Sequence, residues 1–236
     1  MRKIISMGLR DIFWNLGGLL FPHCCPVCGE ALVRSEKCIC QGCMIGLPRL
    51  PMIEGKMEDV EMLFMGAKSV TKAVSLFRYN RHSAYASIIK DIKYHNNPRT
   101  GYELARMFAT ELMASDWFAG VDMIIPVPLH RKKKIQRGYN QSMYIAKGIS
   151  AVTGIPIAEA VKAVKPHRSQ TSQDSVKRRM NVQDVFAATD DVCGKVVLVV
   201  DDVITTGATI SACSDVLLQH GVIEVRAFSL ACASTY

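Results

Sequence analysis

Residues 197–209 read Val-Leu-Val-Val-Asp-Asp-Val-Ile-Thr-Thr-Gly-Ala-Thr, and the fold turns on how that run is parsed. An unbroken apolar, β-branched run suits a strand buried on both faces, as in a parallel sheet covered by helices. Asp201 and Asp202 end the strand, and Thr205, Thr206, Gly207, Ala208 and Thr209 form a turn into a helix. Ligands of open parallel sheets bind beyond the carboxyl ends of the strands. Backbone N–H groups and hydroxyls at a helix N-terminus suit a monophosphate, and Gly207 removes a Cβ from its approach. The paired carboxylates would repel that phosphate. They fit the hydroxyls of a neutral polyol, or hydrated Mg²⁺. A sugar phosphate meets both demands. A single acid here would read as a helix cap or a solvated turn residue; the acid pair followed by T-T-G-x-T points to a ligand.

The remaining 236-residue chain agrees with an anionic ligand. Its net charge is +8 and its pI about 9.1, with much of the excess in His130 to Arg137 and Lys162 to Arg179. Such a balance suits a phosphorylated small molecule or nucleic acid. Hydrophobic residues make up 49%, enough for one α/β domain and a smaller attachment. Residues 12–22 (IFWNLGGLLFP) are too short to span a bilayer and lack a cleavage pattern after them. They read as an amphipathic helix, which favours a cytoplasmic protein with no membrane span.

Three regions follow from composition: residues 1–50 with the helix and a cysteine cluster, a connector over 51–66, and an α/β domain over 67–236. In the last, helical spacing covers Ser83 to Tyr94, Gly101 to Met113, Gln141 to Val152 and Ser211 to His220. Strands are expected over Asp122 to Val127, Lys195 to Val200 and Val222 to Leu230. The fold class is therefore α/β, a parallel sheet flanked by helices. Ile125-Pro-Val-Pro-Leu-His-Arg-Lys-Lys-Lys134 places a basic loop at a strand end, where N–H groups and cations could hold a second, departing anion. Lys165 to Asp184 is polar, basic and aperiodic, as functional or disordered loops are.

Among the nine cysteines, Cys25-Pro-Val-Cys28 and Cys40-Gln-Gly-Cys43 form two C-x-x-C pairs. Four thiolates at that spacing make a closed, structural Zn²⁺ site. Cys24 or Cys38 could replace one of the four, and free or redox-active thiols are the plainer alternative.

The run Asp201 to Thr209 resembles the signature of type I phosphoribosyltransferases, which bind 5-phosphoribosyl-1-pyrophosphate (PRPP). V-P-V-P-L-H followed by Arg137-Gly-Tyr-Asn-Gln141, with Lys93-Tyr94 before and Arg168 to Phe186 after, resembles the ComF family, phosphoribosyltransferase-like proteins linked to bacterial DNA uptake. The resemblance implies ribose hydroxyls on Asp201 and Asp202 and the 5′-phosphate on Thr205 to Thr209. It also implies pyrophosphate near Leu129, His130, Arg131, Lys132, Lys133 and Arg137, with Mg²⁺ accompanying PRPP. A flap carrying Arg168, Gln173 and Arg178 would close over it, and an N-terminal zinc ribbon would use Cys25, Cys28, Cys40 and Cys43. Lys133 and Ile135 stand where the family pattern has arginine. Phosphoribosyl transfer is the leading expectation. A non-catalytic PRPP or nucleotide sensor and a nucleic-acid-binding protein are the alternatives.

Overall fold

A computed structural model describes residues 23–53, 57–66, 69–95, 97–164, 186–188 and 192–233. The helix expected over 12–22 and the flap residues Arg168, Gln173 and Arg178 lie outside the described residues. In chain order the helices are α1 (Gln41–Ile45), α2 (Glu58–Glu61), α3 (Ala86–Tyr94), α4 (Pro98–Leu112), α5 (Arg131–Arg137), α6 (Gln141–Thr153) and α7 (Ala208–Gln219). The strands are β1 (Lys72–Tyr79), β2 (Met123–Pro126), β3 (Val161–Ala163), β4 (Phe186–Ala188), β5 (Val196–Ile204) and β6 (Glu224–Ala233).

Four strands form a sheet in the order β1-β6-β5-β2, and every neighbouring pair is parallel. The two inner strands, β5 and β6, are almost continuously buried, which is what helices on a parallel sheet require. β3 and β4 form a separate antiparallel ladder that brackets the long aperiodic segment. The helices and strands expected within the described residues are present, with differences. β1, β3, β4 and the short helices α1 and α2 are additional. The strand expected over 195–200 runs on to Ile204, because β6 stays apolar and keeps pairing as far as Ile204–Cys232. The basic loop after β2 is mostly helix α5, since residues 131–137 contain good helix formers and no breaker before Gly138, which ends the helix at φ +79°.

The termini of β2 and β5 decide where the sheet opens. Pro126 pairs with Val200, and the N–H of Val127 still donates to the Val200 carbonyl at 2.9 Å. Pro126 and Pro128 stand where an N–H would face away from β5, as edge strands allow, and the chain leaves the sheet after Val127. From Asp201 onward β5 is therefore paired on the β6 side alone.

On the helical layer, α4 and α6 meet at Gly148. A Cβ built there would lie 2.3 Å from the Tyr102 carbonyl oxygen and 3.1 Å from Ala105 Cβ. The Phe108 and Phe228 rings, 5.2 Å apart, join α4 to β6. The N-terminal region is stitched to the edge of β1: Leu50 N–H donates to the Leu76 carbonyl (3.2 Å) and Arg78 N–H to the Pro48 carbonyl (2.8 Å). Arg49 forms an ion pair with Glu111 on α4. Gly148→Ala is expected to push α4 and α6 apart and destabilise the protein by about 1–3 kcal/mol. Thermal melting would register this as a drop of roughly 2–4 °C per kcal/mol for a chain of this size.

Candidate functional site

β5, freed on one edge, presents Asp201 and Asp202 to a cavity of about 500 Å³. Successive side chains of a strand point to opposite faces, so the two acids meet different neighbours. One oxygen of Asp201, Oδ1, accepts from Ser142 Oγ (3.0 Å) and from the Asp202 N–H (2.8 Å). Asp202, 2% exposed, has its Oδ1 2.9 Å from Lys93 Nζ. Asp202 Oδ2 is buried and has no hydrogen-bond partner among the described residues. Each acid thus has its Oδ1 fixed by the protein.

The R-G-Y-N-Q run assembles the wall opposite. Gly138 turns the chain out of α5, and the Tyr139 hydroxyl donates to the Ile92 carbonyl, anchoring the turn of α3 that carries Lys93. Asn140 caps α6 by accepting from Ser142 N–H (3.1 Å) and donates to the Val127 carbonyl (3.0 Å). Gln141 is buried, lines the cavity and also has an unpartnered acceptor, Oε1. Two buried oxygens without partners in one cavity call for a ligand rich in hydroxyl or N–H donors.

Among the residues expected to bind, Leu129, His130, Lys133, Arg137, Asp201, Asp202, Thr205 and Thr209 line the cavity. His130, Lys133 and Arg137 share one face because they are spaced i, i+3 and i+7. Arg131 and Lys132 are exposed on α5 and lie outside the cavity lining, as do Thr206, Gly207 and Ala208 of the turn. His130 Nδ1 accepts from Lys132 N–H at 3.3 Å, as the cap of α5. Gly207 has φ +73°, which side-chain-bearing residues rarely adopt. A Cβ built there would lie 2.9 Å from the Phe64 ring, so the space kept clear at this glycine is occupied by the connector, not by a phosphate.

Sequence reasoning omitted Lys93, Gln141 and Ser142 as site residues. The signal for Lys93 was available in principle, since a buried carboxylate requires a counter-charge nearby. Lys90, Lys93, Lys133 and Arg137 outnumber the two acids in the lining, so the cavity suits an anion despite them. Burial works against the charge on Lys93, but the charge and hydrogen bond of Asp202 outweigh it and raise its affinity for the proton. Burial, then the charge of Asp202, pushes the Asp201 carboxyl up from 3.8 to about 7, against the pull of Lys93 and its hydrogen-bond donors.

The cysteine cluster lies at the other end of the α3 helix. Sγ atoms of Cys25, Cys28, Cys40 and Cys43 all fall within 4.8 Å of one another, with Cys28 and Cys40 at 3.7 Å. A tetrahedron of Zn–S bonds near 2.3 Å has edges of about 3.8 Å, so the four thiols fit a zinc ion. Cys40 N–H points at Cys25 Sγ and Cys43 N–H at Cys40 Sγ, both at 3.4 Å, and Gly29 supplies the turn at φ +80°. Burial raises the Cys25 thiol, but N–H donors led by that of Cys40 bring it down to about 7. Cys38 is buried apart from the four, and burial pushes its thiol up to about 12. The cluster packs against Tyr85, which precedes α3. A Cβ built at Gly46 would lie 2.5 Å from the Tyr85 hydroxyl oxygen.

Residues 140–234 match the phosphoribosyl transferase domain. Competence protein F of Haemophilus influenzae is 35% identical over 114 residues, 47% of this chain and 50% of that protein. The chain thus spans about half the length of that relative in the match. DNA utilization protein YhgH of Escherichia coli O157:H7 is 26% identical over 218 residues, 87% of this chain and 88% of that protein. A looser likeness is to glutamine PRPP amidotransferase from B. subtilis, 22% identical over 60% of this chain and 30% of that one, with a TM-score of 0.43. The fold is a phosphoribosyltransferase-type α/β sheet with an N-terminal four-cysteine cluster. The chain thus carries a phosphoribosyl transferase domain over residues 140–234 and is similar to proteins named for competence and DNA utilization. No helix among the described residues is long and apolar enough to cross a membrane.

Two outcomes follow from the site. A carboxyl raised in the native state holds its proton more tightly there, so its contribution to stability is fully present below the unfolded value. It drains away as pH rises through about 7. Asp201→Asn should therefore melt above the wild type at pH 8, and the gap should close by about pH 4, in paired calorimetric scans. For the cluster, metal analysis of purified protein should find one zinc per chain in the wild type, Cys24→Ser and Cys38→Ser. Serine at Cys25, Cys28, Cys40 or Cys43 should abolish or sharply reduce it.

Proposed function

We propose that the cavity binds Mg²⁺·PRPP and that the protein transfers its phosphoribosyl group to an acceptor with release of pyrophosphate. The observation that carries this reading is the acid pair lining the cavity, with one oxygen of each carboxylate held by the protein and Asp202 Oδ2 without a partner among the described residues. Two adjacent carboxylates in a basic cavity suit the 2′ and 3′ hydroxyls of a ribose phosphate. The 5′-phosphate then lies at the turn bounded by Thr205 and Thr209, at the N-terminus of α7. Pyrophosphate faces His130, Lys133 and Arg137, with Mg²⁺ carried in on its oxygens as part of the substrate.

In the transfer, the bond from ribose C1 to the pyrophosphate oxygen breaks and the electron pair leaves with pyrophosphate. A nucleophile, a nitrogen in most chemistry of this type, forms the new bond to C1. Positive charge developing on the ring is met by Asp201 and Asp202, and the cations of α5 meet the charge gathering on the leaving group. Tyr79, Tyr94 and Phe186 give the cavity an aromatic portion where an acceptor ring could stack.

A second reading is supported by the outer face of α5, where Arg131, Lys132 and Lys134 are exposed and turned away from the cavity lining. That face suits a nucleic-acid backbone, and the names of the two relatives refer to competence and DNA utilization. The two readings are compatible: a cytoplasmic protein could hold DNA outside and PRPP within.

Calorimetry with Mg²⁺·PRPP tests the first. Binding by the wild type is expected, and its loss in an Asp201→Asn/Asp202→Asn variant that still folds and holds zinc would support the diol assignment. A folded, zinc-loaded wild type that takes up no PRPP would sink the proposal. Pyrophosphate release during an acceptor screen then separates an enzyme from a sensor.

A further inference from the structure

Lys93 enters the cavity from α3, and its neighbours explain why its charge is placed there. Its ammonium lies 2.9 Å from Asp202 Oδ1, and its side chain is 22% exposed against 4% for that of Asp202. The neighbouring acid of its own helix, Asp91, is engaged elsewhere: Thr100 Oγ1 (2.7 Å) and Asn97 Nδ2 (2.9 Å) both donate to its Oδ2. Lys93 is thus committed to the acid pair.

We propose that Lys93 is the built-in counter-ion of the diol site, tying down Oδ1 of Asp202 so that the pair serves as hydrogen-bond acceptors with no metal ion on either carboxylate. Its part in ligand binding rests on the sugar-phosphate reading above; its charge pairing with Asp202 does not. Two carboxylates on adjacent residues cannot both ionise readily without a nearby cation. Arg137 is kept from that task, because its guanidinium lies over the Tyr94 ring, 5.3 Å from the centroid. Lys90, Lys133 and His130 line the same cavity but make no ion pair with either acid among the described residues. On the α7 side the group facing Asp201 is the Cys213 thiol, which burial and the charge of Asp201 keep protonated. Lys93 is therefore a positioning residue: it acts on the sugar through Asp202.

With Asp202 neutralised from within, the acid pair needs no metal ion of its own, and Mg²⁺ enters with the ligand. Removing the ammonium should shift the burden to protons and metal. One acid of the pair would stay protonated to higher pH, and added Mg²⁺ would compensate in part.

The test compares wild type, Lys93→Gln and Lys93→Arg by PRPP calorimetry across pH 6–9 and a range of Mg²⁺, with carboxylate titration followed by ¹³C NMR. Lys93→Gln should lose about ten- to a hundredfold in affinity at pH 7, as for the loss of a hydrogen bond to a charged group. It should recover at pH 9 or at raised Mg²⁺, while Lys93→Arg stays near the wild type. Equal affinity of Lys93→Gln and wild type, with the same pH and Mg²⁺ dependence, overturns the proposal. If the wild type itself binds no PRPP, the functional reading fails and the titration decides the pairing. An upper titration step moved alkaline in Lys93→Gln supports it, and an unmoved step overturns it. Should Lys93→Gln not fold, adding Asp202→Asn removes the stranded charge, and refolding of that double variant supports the pairing where continued unfolding refutes it.

Discussion

The site exists because neighbouring strands of one sheet stop at different points. β2 ends at Pro126, level with Val200, while β5 and β6 continue together to Ile204 and Cys232. The last bond of β2 to β5 is donated by the Val127 N–H, and the chain then leaves the sheet for α5 while β5 runs on. The last residues of β5 are held rigidly by one neighbour and left open toward the other. Asp201 and Asp202 therefore have the precision of a strand and the access of a loop. The general tendency of α/β sheets to bind ligands at their carboxyl edge takes this specific form here.

Charge then decides what the opening can hold. Two carboxylates in a largely buried setting are costly unless partnered, and the chain partners them incompletely. Ser142 and a backbone N–H serve Asp201, Lys93 serves Asp202, and Asp202 Oδ2 and Gln141 Oε1 are left with nothing. Unmet hydrogen-bonding capacity of this kind is stability held in reserve for a ligand. The same burial, with the charge of Asp202, raises the proton affinity of Asp201. The surrounding cations keep the cavity attractive to phosphates while the acids select for hydroxyls, so neither group type alone defines the ligand.

Much of this was legible in the sequence, for local reasons. The apolar run before Asp201 could only be a buried strand, and the C-x-x-C pairs encode their geometry in their spacing. β1 escaped notice because Ser75 and Arg78 break its apolar pattern. In the fold, Ser75 meets the Ser229 hydroxyl across β6, and the register that places them together spans 154 residues of sequence. Lys93 and Gln141 were passed over for the same reason: the need they answer is created by a distant strand. The α5 helix was misread as a loop because a run of like charges resembles a solvated segment, and its helical spacing shows only against the cavity that His130, Lys133 and Arg137 share. Gly207 carried a correct signal with a different cause, a close approach by protein where a ligand was expected.

That approach by Phe64 bears on what can be separated from what. Met57, Val60 and Phe64 of the connector are all buried, and Phe64 forms the back wall of the turn whose front faces the cavity. The segment that looks in sequence like a tether is a wedge. Shortening, lengthening or cutting the chain between the cysteine cluster and β1 would withdraw that wedge and leave the turn without backing. A fragment beginning at β1 would keep every residue of the matched domain and still lack part of the floor of its own site.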